Sequence, residues 1–272
     1  MDQTKRRGLV ESNTILRVVV GSQAYGISSG TSSDRDEKGV CIEPFEWAMG
    51  LSTFEQLEFR SAVERTGQKD APSGPGDLDL TIYSLRKFLK LALKGNPTIL
   101  EMFFIKKLEK GTNVLGEKLQ ELAPYIVCRK AGNAYLGYMQ AQKRKLQDKE
   151  SVPGSERASL VEKYGFDTKY AGHLLRLGMQ GVELLTTGKI VLPIDPVNQT
   201  LIRSVREGHW PLDHVLESAK ELEEQLKHLI DHSTILSEPN VEVVEDWMID
   251  TYWRWWRAQR IMLDLPVNSV VQ

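Results

Sequence analysis

Cysteine is scarce: Cys41 and Cys128 are the only two in 272 residues, and they stand far apart with no metal-ligand spacing. That excludes a disulfide framework and a thiolate zinc site, and it predicts a reducing compartment, with the cytoplasm as default. Charge of one sign is also lacking, with 35 Lys plus Arg against 37 Asp plus Glu and a formal net charge of -2. Bulk electrostatics therefore give no reason to bind nucleic acid or an anionic membrane, and any basic binding surface must be local. Long apolar runs are missing as well. The opening "MDQTKRRGLVESNTILRVVV" carries a basic cluster, but its apolar stretch is too short and interrupted for a signal peptide or a membrane span. There is no internal repeat, no Gly-Lys-Ser/Thr of a Walker loop and no G-x-G-x-x-G dinucleotide fingerprint.

What is there is a chain with 41% hydrophobic residues, enough to bury a core in one large or two ordinary domains. Residues 15 to 20 are dense in β-branched side chains and end at Gly21, which predicts a central strand. Gly39 to Glu43 is a second strand candidate. After the loop-like "QKDAPSGPGD", the alternating "DLDLTIYSL" predicts a third. Ser84 stands at an N-cap position before "LRKFLKLALK", with Gly95 as its stop and Asn96-Pro97 opening the next helix. Beyond about residue 110 the candidates are all helices: "AGNAYLGYMQAQKRKLQ", "TKYAGHLLRLGMQGVELLTTG", "PLDHVLESAKELEEQLKHLID" and "VEDWMIDTYWRWWRAQRIM". "LQDKESVPGSERASLVEKYG" is expected to be a mobile polar connection, and the last few residues to fray. The expected fold class is α+β, a small mixed sheet with flanking helices over residues 1–110, followed by an all-helical domain over 111–272.

The chemistry concentrates in "VVVGSQAYGISSGTSSDRDEKGV", residues 18 to 40. Asp34 and Asp36 stand at i, i+2, so on extended backbone both carboxylates point to one side. Two carboxylates aimed together repel unless a cation lies between them, and magnesium, a hard ion, is held by such groups together with substrate phosphates. A third carboxylate would make a two-metal site. Asp79 lies within the third strand, sharing a face with Thr81 and Tyr83, and is favoured for it. Asp77, directly after the Gly-rich loop, is the alternative. Gly21 lets backbone approach a phosphate and Ser22 adds a hydroxyl donor, together a small anion cradle.

A helix beginning near Asp167 places Lys169, His173 and Arg176 at i, i+4 and i+7 on a basic face. Tyr170, Ala171, Leu174 and Leu175 lie toward another face. Burying the apolar side is expected to turn the basic side outward, toward a triphosphate or a nucleic-acid backbone. Lys143, Arg144 and Lys145 give a weaker hint of a backbone contact. Trp247, Trp253 and Trp256 are read as core residues of a helix. His209, His214, His228 and His232 are read as surface, since the i, i+4 pair lacks a third ligand. Glu101, alone among apolar residues, is expected to be a buried hydrogen-bonding group that fixes its helix and could also approach the site, without a catalytic role.

An apolar strand, Gly-Ser, about a dozen residues, Asp-x-Asp, a second apolar strand and a later strand aspartate form an order that resembles the DNA polymerase β-type nucleotidyltransferase superfamily. "GSQAYGISSGTSSDRDEKGV", "IYSLRKFLKLALKGNPTILEMFF" and "KYGFDTKYAGHLLRLGMQGVELLTTGKIVLP" are similar to the motif set of nucleotidyltransferases associated with RNA ligases in RNA repair. The likeness covers most of residues 14 to 210. It implies that Gly21 and Ser22 contact phosphate and that Asp34, Asp36 and Asp79 carry two Mg²⁺ or Mn²⁺ ions. It further implies a nucleoside triphosphate such as ATP as substrate, an RNA end as acceptor, an RNA ligase as partner, and no membrane. Transfer to a protein side chain or small molecule, as in antitoxin-type and drug-modifying relatives, is the second reading, and a silent nucleotide-sensing module the third.

Overall fold

The computed structural model describes residues 3–28, 34–51, 53–147 and 156–262. Its centre is a four-stranded mixed sheet in the order β1-β2-β4-β3, built from β1 (Thr14–Val19), β2 (Arg35–Cys41), β3 (Gln56–Arg60) and β4 (Leu78–Ser84). β1 and β2 are antiparallel, β2 and β4 parallel, and β3 and β4 antiparallel. Two rows of this register carry charge across the sheet. Asp36 lies opposite Asp79, which lies opposite Arg60; further along, Lys38 lies opposite Thr81, which lies opposite Glu58.

The alternation of β4 decides which face is functional. Leu80 and Ile82 are buried with Cys41, Val10 and Phe54 on one face. Asp79 and Thr81 therefore face the other way. The second strand starts at Arg35 rather than Gly39, because backbone pairing with Leu78 and Asp79 holds the charged Arg35-Asp36-Glu37-Lys38 run extended although it has no apolar pattern. β3, polar and at the sheet edge, has no counterpart among the strands expected from the sequence.

Ser84 caps the helix Leu85–Leu93 by accepting from the Lys87 N–H, and Asn96 caps Pro97–Leu100 by accepting from Thr98 and Ile99. The C-terminal region is helical. Thr168–Thr187 lies among Ala131–Gln147, Pro196–Arg206 and Leu212–His232. Gly181 allows the close approach, since a Cβ there would stand 2.9 Å from both Leu226 and Tyr135. One continuous apolar core runs from Val18 and Val40 of the sheet through Phe88 and Leu100 to Leu174 and Leu184.

Several helices depart from the sequence reading, among them Gln3–Ser12, Phe45–Met49, Ser61–Thr66, Val114–Gln120, Pro196–Arg206 and Glu156–Tyr164, the last of them inside the expected mobile connection. Residues 148–155 of that connection and the last residues, 263–272, lie outside the described residues, as does the polar run 29–33. The helix Val241–Met262 returns to the sheet, where Tyr252 donates to Glu43 at 2.9 Å and the Trp256 indole donates to the Glu43 carbonyl at 2.9 Å. Trp247 and Trp256 pack against the core as expected, but Trp253 is 64% exposed, because the helix turns that side to solvent. Among the described residues no helix is long and apolar enough to cross a membrane.

Candidate active site

Parallel pairing of β2 with β4 brings the acids together. Single carboxylate oxygens of Asp34, Asp36 and Asp79 all lie within 4.8 Å of one another. Burial first, and then the charges of Asp34 and Asp79, push the Asp36 carboxyl up to about 6, against the pull of Lys38. Asp79 is oriented by Arg60, whose Nε stands 3.2 Å away, and by the Ser73 hydroxyl at 2.7 Å. Asp77 does something else. Its buried carboxylate accepts from the Gly74 N–H, Ser61 and Arg65, which hold it below the ordinary range and clamp the loop before β4. Of the two candidates, the geometry thus groups Asp79 with Asp34 and Asp36.

Gly21 opens the short helix Gly21–Tyr25 with φ at +70°. A Cβ at this position would stand 2.8 Å from Asp36 Oδ2, so the turn rests directly on the acidic cluster. The Val20 N–H donates to the Asp36 carbonyl at 3.0 Å, and the Gln23 amide donates to the Asp34 carbonyl at 3.3 Å. Gly21, Ser22, Asp34 and Asp36 together line a cavity of about 430 Å³.

The opposite wall is basic, and it corrects the expectation of an outward basic face. Lys169, His173 and Arg176 turn inward, into this same cavity, because the Gly21–Tyr25 helix and the Pro97–Phe103 segment stand across from them. Arg176 is only 4% exposed. It lies 3.9 Å from Glu101, sits over the Tyr25 ring at 4.2 Å and donates to Gln180. His173 is driven down to about 3 by burial and by Arg176, Lys145, Arg157 and Arg206, so its ring is neutral, and among the described residues its buried Nε2 has no hydrogen-bond partner. A neutral imidazole within a ring of cations marks a place that favours an anion.

Several lining residues escaped the sequence reading. Lys38 follows Asp36 by two on the same strand, so alternation alone would have placed both on one face. Glu101, a lone acid in an apolar run, is not one of these: it is buried as expected, accepts from the Tyr25 hydroxyl at 2.8 Å, and approaches the site as the sequence allows, lining the cavity. Arg157 and Arg206 come from helices with no local signal of a role. Elsewhere, Lys143 pairs with Glu223 at 3.6 Å and Lys145 lies over the Tyr170 ring. His228 and His232 stack on each other at the exposed end of their helix.

The donor set suits a hard divalent cation such as Mg²⁺ or Mn²⁺: three carboxylates converge, and the middle one has its proton affinity raised by burial and by the neighbouring charges of Asp34 and Asp79. Among solved structures, a nucleotidyltransferase-like protein from Exiguobacterium sibiricum is similar at 10% identity. The similarity covers 80% of this chain and 69% of that one, with a TM-score of 0.28. No curated protein matches. The profile of RlaP, the RNA repair pathway DNA polymerase beta family, matches residues 1–250, and the chain belongs to that family.

Proposed function

We propose that this nucleotidyltransferase moves a nucleoside monophosphate from a nucleoside triphosphate, ATP among them, to a hydroxyl at an RNA end, releasing pyrophosphate. One observation carries the reading: Asp34 and Asp36 of the acidic cluster face a basic wall across a single cavity, with Asp79 within 4.8 Å of them. That is the charge pattern a metal-bound triphosphate requires. Asp34, Asp36 and Asp79 would hold one or two divalent ions, which would neutralise phosphate charge and lower the pKa of the acceptor hydroxyl. Gly21 and Ser22 present backbone and hydroxyl donors to phosphate oxygens. Lys169 and Arg176 offset phosphate charge, and His173 offers a ring nitrogen. Asp79, already oriented by Arg60 and Ser73, takes the hydroxyl proton. Residues 1–110 would then form the catalytic unit, and residues 111–272 would supply the basic wall.

Membership of the RNA repair pathway family supports RNA repair as the setting; an RNA ligase acting on the modified end is the partner we propose. A protein or small-molecule acceptor is favoured by one feature, since Lys143, in the main basic run of the helical half, is already paired with Glu223. Incubation with Mg²⁺, α-labelled triphosphates and pooled RNA tests the proposal. Label on RNA with wild type, and none with Asp34→Ala/Asp36→Ala, is the expected result. Label on protein would move the case to the second reading. Metal-dependent nucleotide binding without turnover would leave a sensing module.

A further inference from the structure

A second cavity, of about 250 Å³, lies on the β3–β4 side of the acidic cluster. Its walls include Glu58, Arg60, Asp79 and Thr81, which belong to the two charged register rows of the sheet. It shares three residues with the larger cavity: Val20, Asp36 and Lys38. The two spaces therefore meet at one partition, and Lys38 is the cation on it. Arg60, the other cation of the smaller space, is committed to Asp79, the Ala71 carbonyl and Ser73.

Resting on nucleotidyl transfer as the reaction, we propose that Lys38 is a catalytic residue whose ammonium binds the nonbridging oxygens of the transferred α-phosphoryl group. In-line transfer needs the acceptor oxygen and the leaving group on opposite sides of the α-phosphorus. With the triphosphate against the basic wall of the larger cavity and the acceptor hydroxyl in the smaller one, the α-phosphorus sits at the partition. The acceptor oxygen bonds to phosphorus as the bond to the bridging oxygen breaks. The pyrophosphate leaves with the electron pair, and the hydroxyl proton passes to Asp79. Charge spreads over the equatorial oxygens at that moment, where Lys38 meets it. The smaller space takes an uncharged ribose hydroxyl end rather than a terminal phosphate, because its remaining polar side chains include Glu58 and Thr81 and its arginine is already bound.

A purely structural role for Lys38, as counter-charge to Asp36 and Glu101, makes different predictions. The test pairs pyrophosphate-release kinetics with ³¹P NMR of bound Mg²⁺–α,β-methylene-ATP, using Lys38→Met, with Lys38→Gln where the first does not fold, and Lys169→Met as comparison. The expected result is a drop in kcat of about 10²- to 10³-fold with affinity for the analogue retained. The α-phosphorus resonance is displaced by Lys38→Met and not by Lys169→Met. An α-phosphorus signal that Lys38→Met leaves in place, or undiminished kcat, overturns the proposal. If the wild type binds the analogue but releases no pyrophosphate, the transfer reading fails while the resonance still decides the contact. If the wild type binds no analogue, both fall.

Discussion

The Oδ2 of Asp36 occupies the place where a side chain on residue 21 would begin, 2.8 Å from a Cβ built there. The Gly21-Ser22 turn and the acidic cluster are thereby packed directly against each other. Gly21 also has φ at +70°, which an L-residue adopts at a cost of roughly 1–2 kcal/mol. Gly21→Ala is therefore expected to lower stability by about that amount and to cost far more in turnover. Displacing a reacting geometry by an ångström costs on the order of 10²-fold. Urea midpoints and pyrophosphate release measure the two effects. Normal turnover in Gly21→Ala would show that the turn and Asp36 move independently.

If Asp34, Asp36 and Asp79 hold a divalent ion as proposed, their convergence makes the folded protein the state that would bind it. Ligand at about a hundred times its Kd stabilises by roughly 2.7 kcal/mol. For a chain of this size that corresponds to a rise in Tm of about 5–10 °C. Mg²⁺ or Mn²⁺ should produce such a rise in the wild type and none in Asp34→Ala/Asp36→Ala, read by differential scanning calorimetry. Asp77→Asn should keep the metal response while lowering the baseline Tm, because its carboxylate ties Ser61, Arg65 and Gly74 together. A lost metal response in Asp77→Asn would reverse the assignment of the third carboxylate.

How much of the fold and site is legible in the sequence depends on where each signal resides. β1 and β4 and the caps at Ser84 and Asn96 are set by local pattern and side-chain chemistry, and they stand where the sequence places them, to within a residue. β2 begins earlier than its apolar pattern suggests, because its N-terminal half is a run of charges that only pairing with β4 holds straight. β3 does alternate, with Leu57 and Phe59 between Gln56, Glu58 and Arg60, but over only five residues and with no hairpin turn signal to mark it. The Asp79 assignment needs the side-chain network of Asp77, which no spacing contains. The basic helix is legible as a face, but its direction is not. A charged face normally turns to water, and this one is enclosed because the Gly21–Tyr25 helix and Glu101 pack across from it.

Glu101 and Arg176 form a buried pair across the two halves of the chain, 2% and 5% exposed at the side chain and 3.9 Å apart. Removing one partner of such a pair leaves the other charge uncompensated, at a cost of about 3–5 kcal/mol. Arg176→Met and Glu101→Leu are each expected to destabilise by that order. The double variant should lose less than the sum, because neither stranded charge remains. Chemical denaturation of the three variants checks the coupling. Additive losses would mean that Glu101 is held by Tyr25 alone, through the hydroxyl hydrogen bond at 2.8 Å.

Glu43 provides a pH signature away from the site. It is 2% exposed, one carboxylate oxygen accepts from Tyr252, and the other is buried with no partner among the described residues. Burial raises its carboxyl above the ordinary 4.5, against the hydrogen bonds that favour the charged form. With the folded-state pKa above the unfolded one, the folded protein holds this proton to higher pH. Folding therefore loses stability as pH climbs from the ordinary value to the raised one, and the full penalty persists above it. Glu43→Gln keeps an oxygen for Tyr252 and has no proton to lose. The stability of Glu43→Gln relative to wild type should accordingly increase as pH rises from the ordinary 4.5 through the raised value. Thermal unfolding across that range decides it. Parallel curves would mean that the carboxylate is solvated in solution, and that the C-terminal helix is anchored by the indole of Trp256 on the Glu43 carbonyl instead.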